Sequence, residues 1–576
     1  MFNKFVKLLK SNQIPLLLFF ISIFIFLSFA GTRMFFSDEG VIVTQFYNLV
    51  HGNLDLQVAK VQVERGIYIT VNDHLYGKFS YSLLILSLPV YFLLKFIDSL
   101  YGAHLFLLQL WAISGGIIVY LAAKIWNNKN AAVAGLASYI ILLVINLRYF
   151  EPIYFPKWGE VISIEFTNIL ISSFLVLTVY FLFRDMFGQK IAIFASFFTI
   201  FATPISFYSI TLKHHSLTVF LTLLAFYCFC KYQENKDNKI IYYAYALAGL
   251  CIWTRIVEGV ALMVSILLMD LLFFRRSIKH IAVISVIILV SLIPFFTFNQ
   301  LILGSPFSII EEHPLTDTPM RMQIEKNMIT LNESPFKVQQ TELLSNLGYI
   351  WNVDIRAGFI DIFSYIMILK LGNTFGILLI SPFLIIAFAF IVDRIRSRIK
   401  LDNIDKLFGL YFILYILLYK DHLLSIVSDT PMALEYRYLL VLYFILLYFV
   451  LRINAVRELI ENNLKKIVHL SIILAVFLSL ILIIIYPLPF MKIYYYLAIF
   501  TICMLLVITL TKLFVKDKKY LDRAITIFIA LSLAEAMIMI IFYYWVVTIT
   551  YISPSQNLTL IPIMGDILKW MYQALF

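Results

Sequence analysis

The sequence contains few charged residues for its length. Only 14% of its residues are charged, whereas a soluble globular domain carries about 25%. Hydrophobic residues make up 62% of the chain, its mean hydropathy is +0.91, and it contains 53 Phe and 35 Tyr. This composition excludes a soluble fold and predicts an integral membrane protein. The apolar runs are long and lack period-two alternation, which favours spanning helices over a membrane β-barrel.

Several functional signatures are also missing. The four cysteines, Cys228, Cys230, Cys251 and Cys503, lie in apolar stretches, so we expect buried thiols, with neither a disulfide framework nor a metal site. There is no Walker A or GxGxxG pattern and no His-x-x-x-His spacing. ATP-driven transport by this chain alone is therefore excluded, and no cofactor is predicted.

The length and the apolar runs predict about 13–15 spanning helices. The predicted spans are 14–34, 103–123, 131–147, 161–183, 191–208, 216–230, 240–254, 257–274, 280–302, 374–392, 407–427, 438–451, 467–486, 493–511 and 524–550. The predicted fold class is an all-α, polytopic transmembrane helical protein, with residues 1–576 forming a single membrane-embedded domain. Residues 438–576 form its C-terminal helical part.

Basic residues fix the predicted orientation. If the ambiguous segment 80–97 does not cross the membrane, every basic cluster falls on the cytoplasmic side together with the N-terminus, as the positive-inside rule requires. We therefore expect segment 80–97 to be a helix in the outer interface. The net charge of +11 has the same origin, and no nucleic acid partner is predicted. Three outer regions follow: 35–97, 304–373 with short helical stretches, and 428–437.

The first outer region begins with Phe36-Ser37-Asp38-Glu39-Gly40. Ser37 or Asp38 suits the start of a helix, because side-chain oxygens cap exposed backbone N–H groups and acids favour the positive end of the helix dipole. Two interpretations of Asp38 stay open. It serves only as a cap, or its carboxylate at the membrane surface acts as a general base toward a hydroxyl group.

Basic residues near the predicted outer surface are candidates for phosphate binding. Lys78 lies in the run from His74 to Tyr81 and either meets a lipid-linked phosphate or anchors a helix at the interface. Arg255 stands three residues before Glu258 and forms either a structural salt bridge or a phosphate contact. Arg437 precedes a late span, with the same two alternatives. The adjacent His214 and His215 can bind a sugar or phosphate, or belong to a plain polar turn.

In their order along the chain, short motifs resemble those of the GT-C superfamily of membrane glycosyltransferases, close to the protein mannosyltransferase-like (family 39) group. The motifs are Asp38-Glu39, the run from Tyr76 to Tyr81 and on to Pro89, Ala202-Thr203-Pro204 with Tyr208-Ser209, Gly249 through Thr254-Arg255, Gly304-Ser305-Pro306, Ser381-Pro382 and Arg437-Tyr438. The resemblance covers residues 15–450. His215 departs from it, because many relatives have a glutamate there.

The resemblance implies a GT-C-type fold and an inverting glycosyltransferase. The donor would be a polyprenyl-phosphate-linked sugar, the acceptor a lipid, glycan or protein hydroxyl, and the site would lie on the extracytoplasmic face of the cell membrane, with no nucleotide or metal cofactor. The implied roles are: Asp38 and Glu39 catalytic, with Asp38 the base; Lys78, Arg255 and Arg437 binding the donor phosphate; Tyr76, Tyr81, His214 and His215 contacting the substrate.

Two other classes of protein remain as alternatives. A secondary transporter or lipid flippase usually shows internal repeats and broken helices near the midplane of the bilayer, and no half-to-half sequence similarity is evident. Acidic residues lie mainly in outer loops instead of mid-helix, and Glu165 and Glu535 are the notable exceptions. A non-catalytic envelope scaffold would leave Asp38 and Lys78 without a role.

Overall fold

The fold is known from a computed structural model of the chain. It describes residues 13–34, 38–62, 68–273, 278–308, 315–316, 322–330, 376–426, 439–485, 490–515, 519–540 and 559–567. Arg437 and the rest of the third outer region lie outside the described residues, as does most of region 304–373.

Helices dominate the described residues. They are α1 Gln13–Ser28, α2 Glu39–Val50, α3 Ser82–Leu100, α4 Ala103–Ile125, α5 Ala131–Leu147, α6 Phe155–Phe187, α7 Gln189–Phe201, α8 Ile205–Tyr208, α9 His215–Asn235, α10 Asn238–Thr254, α11 Ile256–Phe273, α12 Ile278–Ser291, α13 Ile293–Leu303, α14 Ile377–Ile380, the 3-10 helix Pro382–Phe388, α15 Ala389–Ser397, α16 Asn403–Ile426, α17 Leu440–Leu451, α18 Asn454–Ile485, α19 Phe490–Phe514 and α20 Lys519–Ile538. The prediction of an all-α, polytopic membrane protein is confirmed.

Seven stretches of helix are long and apolar enough to cross a membrane: 82–100, 103–125, 155–187, 215–235, 278–303, 454–481 and 493–514. The chain is thus a multi-pass membrane protein. Helix α3 meets this criterion by length and composition, so its predicted place in the interface stays a prediction. The predicted tight turn at Arg255 is confirmed, because α10 ends at Thr254 and α11 begins at Ile256.

Two predicted spans are broken. Span 191–208 is interrupted between α7 and α8, before Pro204, and span 374–392 is interrupted at Ser381, before Pro382. Proline lacks the N–H that a helix needs and disfavours the helical conformation of the residue before it. The two breaks are in contact, since Ser381 Oγ donates a hydrogen bond to the carbonyl oxygen of Ala202 at 2.6 Å.

Five short strands in the outer regions were not predicted. They are β1 Val58–Gln62, β2 Tyr68–Val71, β3 His74–Gly77, β4 Leu315–Thr316 and β5 Gln323–Thr330. Strand β1 pairs in parallel with β5, and β2 lies between β3 and β4. Region 304–373 thus contributes two strands, β4 and β5, that pair with the first outer region. The short helices expected in this region lie outside its described residues or stay a prediction.

The turn between β2 and β3 explains this hairpin. Asn72 and Asp73 have φ of 49° and 66°, a left-handed conformation that these two residue types tolerate and that two-residue hairpins require. The β-branched residues Ile69, Thr70 and Val71 before the turn favour a strand. The turn and the strand composition together are a local sequence signal for the β2–β3 hairpin.

Helix α6 is the centre of the packed core and positions the site. It is buried along most of its length and packs against α1, α3, α7 and α9. Among the cysteines, Cys251 is buried and Cys228 and Cys230 are half-buried, but Cys503 is exposed. The prediction that all four thiols are buried is wrong for Cys503, because an apolar thiol on a membrane helix can face lipid instead of protein.

Candidate active site

Asp38 lies directly before α2 and faces a loop from a distant part of the chain. Its carboxylate makes no capping hydrogen bond to the helix. Instead, Asp38 Oδ2 forms an ion pair with Lys213 Nζ, while Asp38 Oδ1 is buried and has no hydrogen-bond partner among the described residues. The interpretation of Asp38 as only a helix cap is therefore wrong, because its side chain pairs with Lys213 instead of with the helix.

Lys213 is the functional candidate that the sequence analysis missed. It lies in the loop between α8 and α9, and its side chain is only 3% exposed. Its ammonium group also lies 5.6 Å from the ring centroid of Phe79. A signal existed: a lysine in a predicted outer turn runs against the positive-inside bias and needs a specific partner when buried.

The loop that carries Lys213 is held by two buried side chains. Glu39, the first residue of α2, is fully buried and its Oε1 accepts a hydrogen bond from the backbone N–H of Leu212 at 2.9 Å. From α6, Asn168 Nδ2 donates to the carbonyl oxygens of Thr211 and Lys213, at 2.7 Å each. Both acids of the Asp38-Glu39 pair thus contact this loop with their side chains. Asp38 pairs with the side chain of Lys213, and Glu39 accepts from the backbone of Leu212.

Lys78 lies on a turn that α2 also holds. Gln45 Nε2 donates to the carbonyl oxygens of Gly77 and Phe79 at 3.3 and 3.1 Å. One residue further, Ser80 Oγ donates to the carbonyl oxygen of Trp253 at 2.7 Å, which ties the turn to the end of α10. Lys78 itself is half-buried and forms no ion pair within the described part of the chain, so its charge can serve a ligand.

Arg255 lies between α10 and α11 and contacts two buried side chains. Its Nε is 2.5 Å from Glu258 Oε1, so the salt bridge that was one of its two alternatives is present, and its Nη1 is 2.6 Å from His215 Nδ1. The phosphate contact of Arg255 stays a prediction. Because a guanidinium only donates, His215 Nδ1 is the acceptor and its proton resides on Nε2. His214 lies beside it, with the two ring centroids 5.5 Å apart.

The two predicted tyrosines differ in their surroundings. Tyr76 is in β3, and burial together with the charge of Asp55 raises the pKa of its phenol. Tyr81 is 1% exposed, donates to the carbonyl oxygen of Leu54 at 3.1 Å and stacks on Phe298 with ring centroids 5.2 Å apart. Burial raises the pKa of the Tyr81 phenol. Their roles in substrate binding stay predictions.

One loop joins these parts. Residues 209–215 bring the Lys213–Asp38 pair and the His215–Arg255 pair into the same stretch of backbone, and the ring of Phe79 places the Lys78 turn against Lys213. A carboxylate beside a lysine brings together a group that can accept a hydroxyl proton and a cation that can bind an anionic group. Within the described ranges, no group of three or more His, Cys, Asp or Glu residues could hold a metal ion.

Residues 159–298 match the family model of dolichyl-phosphate-mannose-protein mannosyltransferase. The predicted resemblance is confirmed. The match contains the loop with Lys213 and His215, together with Asn168 and Arg255. Asp38 and Lys78 precede the matched segment, so their place in a protein mannosyltransferase-like site depends on the contacts described above.

Two solved structures are similar to the chain, both of ArnT from Cupriavidus metallidurans. One, bound to undecaprenyl phosphate, is 13% identical with a TM-score of 0.39; the other, in the apo state, is 11% identical with a TM-score of 0.38. Each comparison covers 93% of this chain and 77% of that chain. At such values they add no support to any residue role. No curated protein matches the chain in sequence.

Proposed function

We propose that the chain is a membrane glycosyltransferase that moves a sugar from a polyprenyl-phosphate-linked donor to an acceptor hydroxyl. The observation that carries the proposal is the half-buried carboxylate of Asp38, whose Oδ2 pairs with Lys213 while Oδ1 has no hydrogen-bond partner among the described residues. The family that matches residues 159–298 is described by a dolichyl-phosphate sugar donor, which supports a lipid-linked phosphate here.

The reaction is a single displacement. The acceptor oxygen attacks the anomeric carbon of the sugar, the bond from that carbon to the phosphate oxygen breaks, and polyprenyl phosphate leaves. The acceptor proton passes to Asp38. One displacement from the opposite face inverts the anomeric configuration, and a phosphate leaves without protonation when cations neutralise its charge.

The basic residues divide into those near the base and those that bind the leaving group. We assign Lys78 and Arg255 to the donor phosphate, together with Arg437, which lies outside the described residues. Glu39 is a positioning residue, because its carboxylate holds the backbone at Leu212. Tyr76, Tyr81, His214 and His215 complete the proposed substrate contacts.

The site belongs at the membrane surface. With the N-terminus cytoplasmic, as the basic loops indicate, Asp38 and the loop 209–215 lie on the extracytoplasmic side of the cell membrane. There the polyprenyl tail remains in the bilayer while its headgroup reacts. The acceptor would be a lipid, glycan or protein, and neither a nucleotide nor a metal takes part in the proposed chemistry.

The proposal is tested by transfer from a panel of donors. Purified protein in nanodiscs receives radiolabelled polyprenyl-phosphate sugars and membrane extract as acceptor, and both transferred label and released polyprenyl phosphate are measured. We expect the two products in equal amounts from at least one donor. Labelled acceptor without released lipid phosphate, or no product from any donor with folded protein, would contradict the proposal.

A secondary transporter or lipid flippase is the second candidate, and one observation favours it. The helix breaks before Pro204 and Pro382 are in contact through Ser381 and Ala202, and transporters commonly build sites from interrupted helices. If the protein in proteoliposomes moves intact lipid-linked sugar between the leaflets and forms no glycosidic bond, that result would support this function. We expect bond formation instead.

A further inference from the structure

The two oxygens of Asp38 are in different states. Oδ2 is engaged by the ammonium group of Lys213, while Oδ1 is buried without a partner among the described residues. An incoming hydroxyl therefore meets a carboxylate whose negative charge is already neutralised by a cation. The ammonium group and the hydroxyl proton therefore compete for the same carboxylate, and the lysine has to leave Oδ2 before the whole carboxylate is available to the hydroxyl.

We propose that the ammonium group of Lys213 moves from Asp38 to the phosphate of the lipid-linked donor. Donor binding thereby frees the Asp38 carboxylate to act as the base. The acceptor hydroxyl is then activated only when a donor is present, and the order of binding is donor first. This inference rests on the proposed function. It assigns to Lys213 the coupling of donor binding to activation of the acceptor hydroxyl.

The surroundings of Lys213 allow its side chain to move while its backbone stays fixed. Asn168 holds the carbonyl oxygen of Lys213, and Glu39 holds the N–H of Leu212. The lysine stem has four rotatable carbons and ends in a compact charge. The ring centroid of Phe79 lies 5.6 Å from the ammonium group, and an aromatic face attracts a cation. Phe79 directly follows Lys78 in the chain.

The charges around the site make the transfer favourable. Before a donor arrives, Asp38 pairs with Lys213 and Glu258 pairs with Arg255, and Lys78 forms no ion pair within the described ranges. A phosphate that binds to Lys78 adds negative charge beside Phe79, and Lys213 then has two anions within the reach of its stem. The donor phosphate and Asp38 compete for the same ammonium group.

Competition of this kind has a measurable consequence. Removal of the Asp38 charge removes the anion that competes with the phosphate for Lys213, so Asp38→Asn should bind a lipid phosphate more tightly than wild type, by about tenfold. A carboxylate that only supported the local structure would give unchanged or weaker binding. The probe is radiolabelled undecaprenyl phosphate, titrated against the purified protein in nanodiscs.

A double-mutant cycle assigns the effect to Lys213. Lys213→Met should weaken binding of undecaprenyl phosphate by about tenfold, and Asp38→Asn should give no tightening in the Lys213→Met background. Asp185→Asn is the matched control, because Asp185 pairs with Lys231 at 2.8 Å near the predicted cytoplasmic end of the helices. This control should leave the affinity unchanged.

The outcomes separate this inference from the proposed function. Asp38→Asn that folds and binds undecaprenyl phosphate no more tightly than wild type would overturn the transfer of Lys213, while wild-type binding and sugar transfer would leave the glycosyltransferase intact. Absence of binding by wild type would overturn both. Asp38→Ala is the second variant if Asp38→Asn does not fold, and the same tightening is expected of it.

Discussion

The imidazole of His215 accepts a hydrogen bond from the guanidinium of Arg255, with Nδ1 and Nη1 2.6 Å apart. Glu258 binds the same guanidinium through Nε at 2.5 Å. Arg255 is thus oriented from two helices, α9 and α11, and a planar fork that is fixed in this way is suited to a phosphate. The position that departs from the resemblance therefore still supplies an acceptor for Arg255.

His215→Leu tests this orientation. It replaces the imidazole, and with it the acceptor, by an apolar side chain of similar bulk. The KM for the lipid-linked donor should therefore rise about tenfold, with a smaller change in kcat. His215→Glu restores an acceptor and should return the KM toward the wild-type value. An unchanged donor KM in a folded His215→Leu variant would show that His215 does not position Arg255.

Gln45→Glu tests how the Lys78 turn is held. The substitution keeps the shape of the side chain but removes the N–H groups that bind the carbonyl oxygens of Gly77 and Phe79. The turn should loosen, and the donor KM should rise in the same direction as in Lys78→Ala, by a smaller factor. Initial-rate kinetics over donor concentration measure both. If the donor kinetics change in Lys78→Ala but stay at the wild-type values in Gln45→Glu, Gln45 does not hold the Lys78 turn in the way proposed.

Gly77→Ala tests the close approach of the same two segments. An added Cβ would lie 2.3 Å from Gln45 Cδ, so the backbone or Gln45 must shift, at a cost of about 1–3 kcal/mol in the free energy of unfolding. Gly409→Ala is the control, because nothing lies within 4 Å of its Cβ and α16 is helical there. We expect a lower Tm for Gly77→Ala only, measured by intrinsic fluorescence in detergent.

The contact between the two outer regions should depend on pH. Tyr47 Oη donates to Glu325 Oε2 at 2.7 Å, and this hydrogen bond holds the pKa of Glu325 below its usual range. A carboxylate with a lowered pKa in the folded state stabilises above its unfolded pKa, and the stabilisation is lost as pH falls through the folded pKa. At neutral pH, β5 should therefore exchange amide hydrogens faster in Tyr47→Phe than in wild type. The two should converge once the pH falls below the lowered pKa of Glu325, and a difference that persists there would contradict the assignment.

Much of the fold follows from composition, because continuous apolar runs can be satisfied in a bilayer only by helices. The turn at Arg255 and the salt bridge to Glu258 were also predictable from their spacing. The breaks before Pro204 and Pro382 had a local signal in proline. The pairing of β1 with β5 had no local signal, since it joins Val58 to Gln323, and most of the candidate spanning helices lie between these residues in the sequence.

The site shows the same division. Asp38, Lys78 and Arg255 stand out because charge is rare near apolar segments, whereas Lys213 depends on a contact with Asp38 across 175 positions of sequence. Asn168 and Gln45 act through backbone carbonyl oxygens of other segments. Such partners are invisible to local pattern, because any loop can supply a carbonyl oxygen.

Sugar transfer by Asp38→Asn is the most direct test of the central claim. The substitution keeps the shape of the side chain and removes the base, and Asp522→Asn, which breaks the ion pair with Lys512, is the matched control. In nanodiscs with a donor that wild type uses, we predict that Asp38→Asn binds donor but loses transfer by at least a hundredfold, while Asp522→Asn retains it. Transfer by folded Asp38→Asn at the wild-type rate would contradict Asp38 as the base.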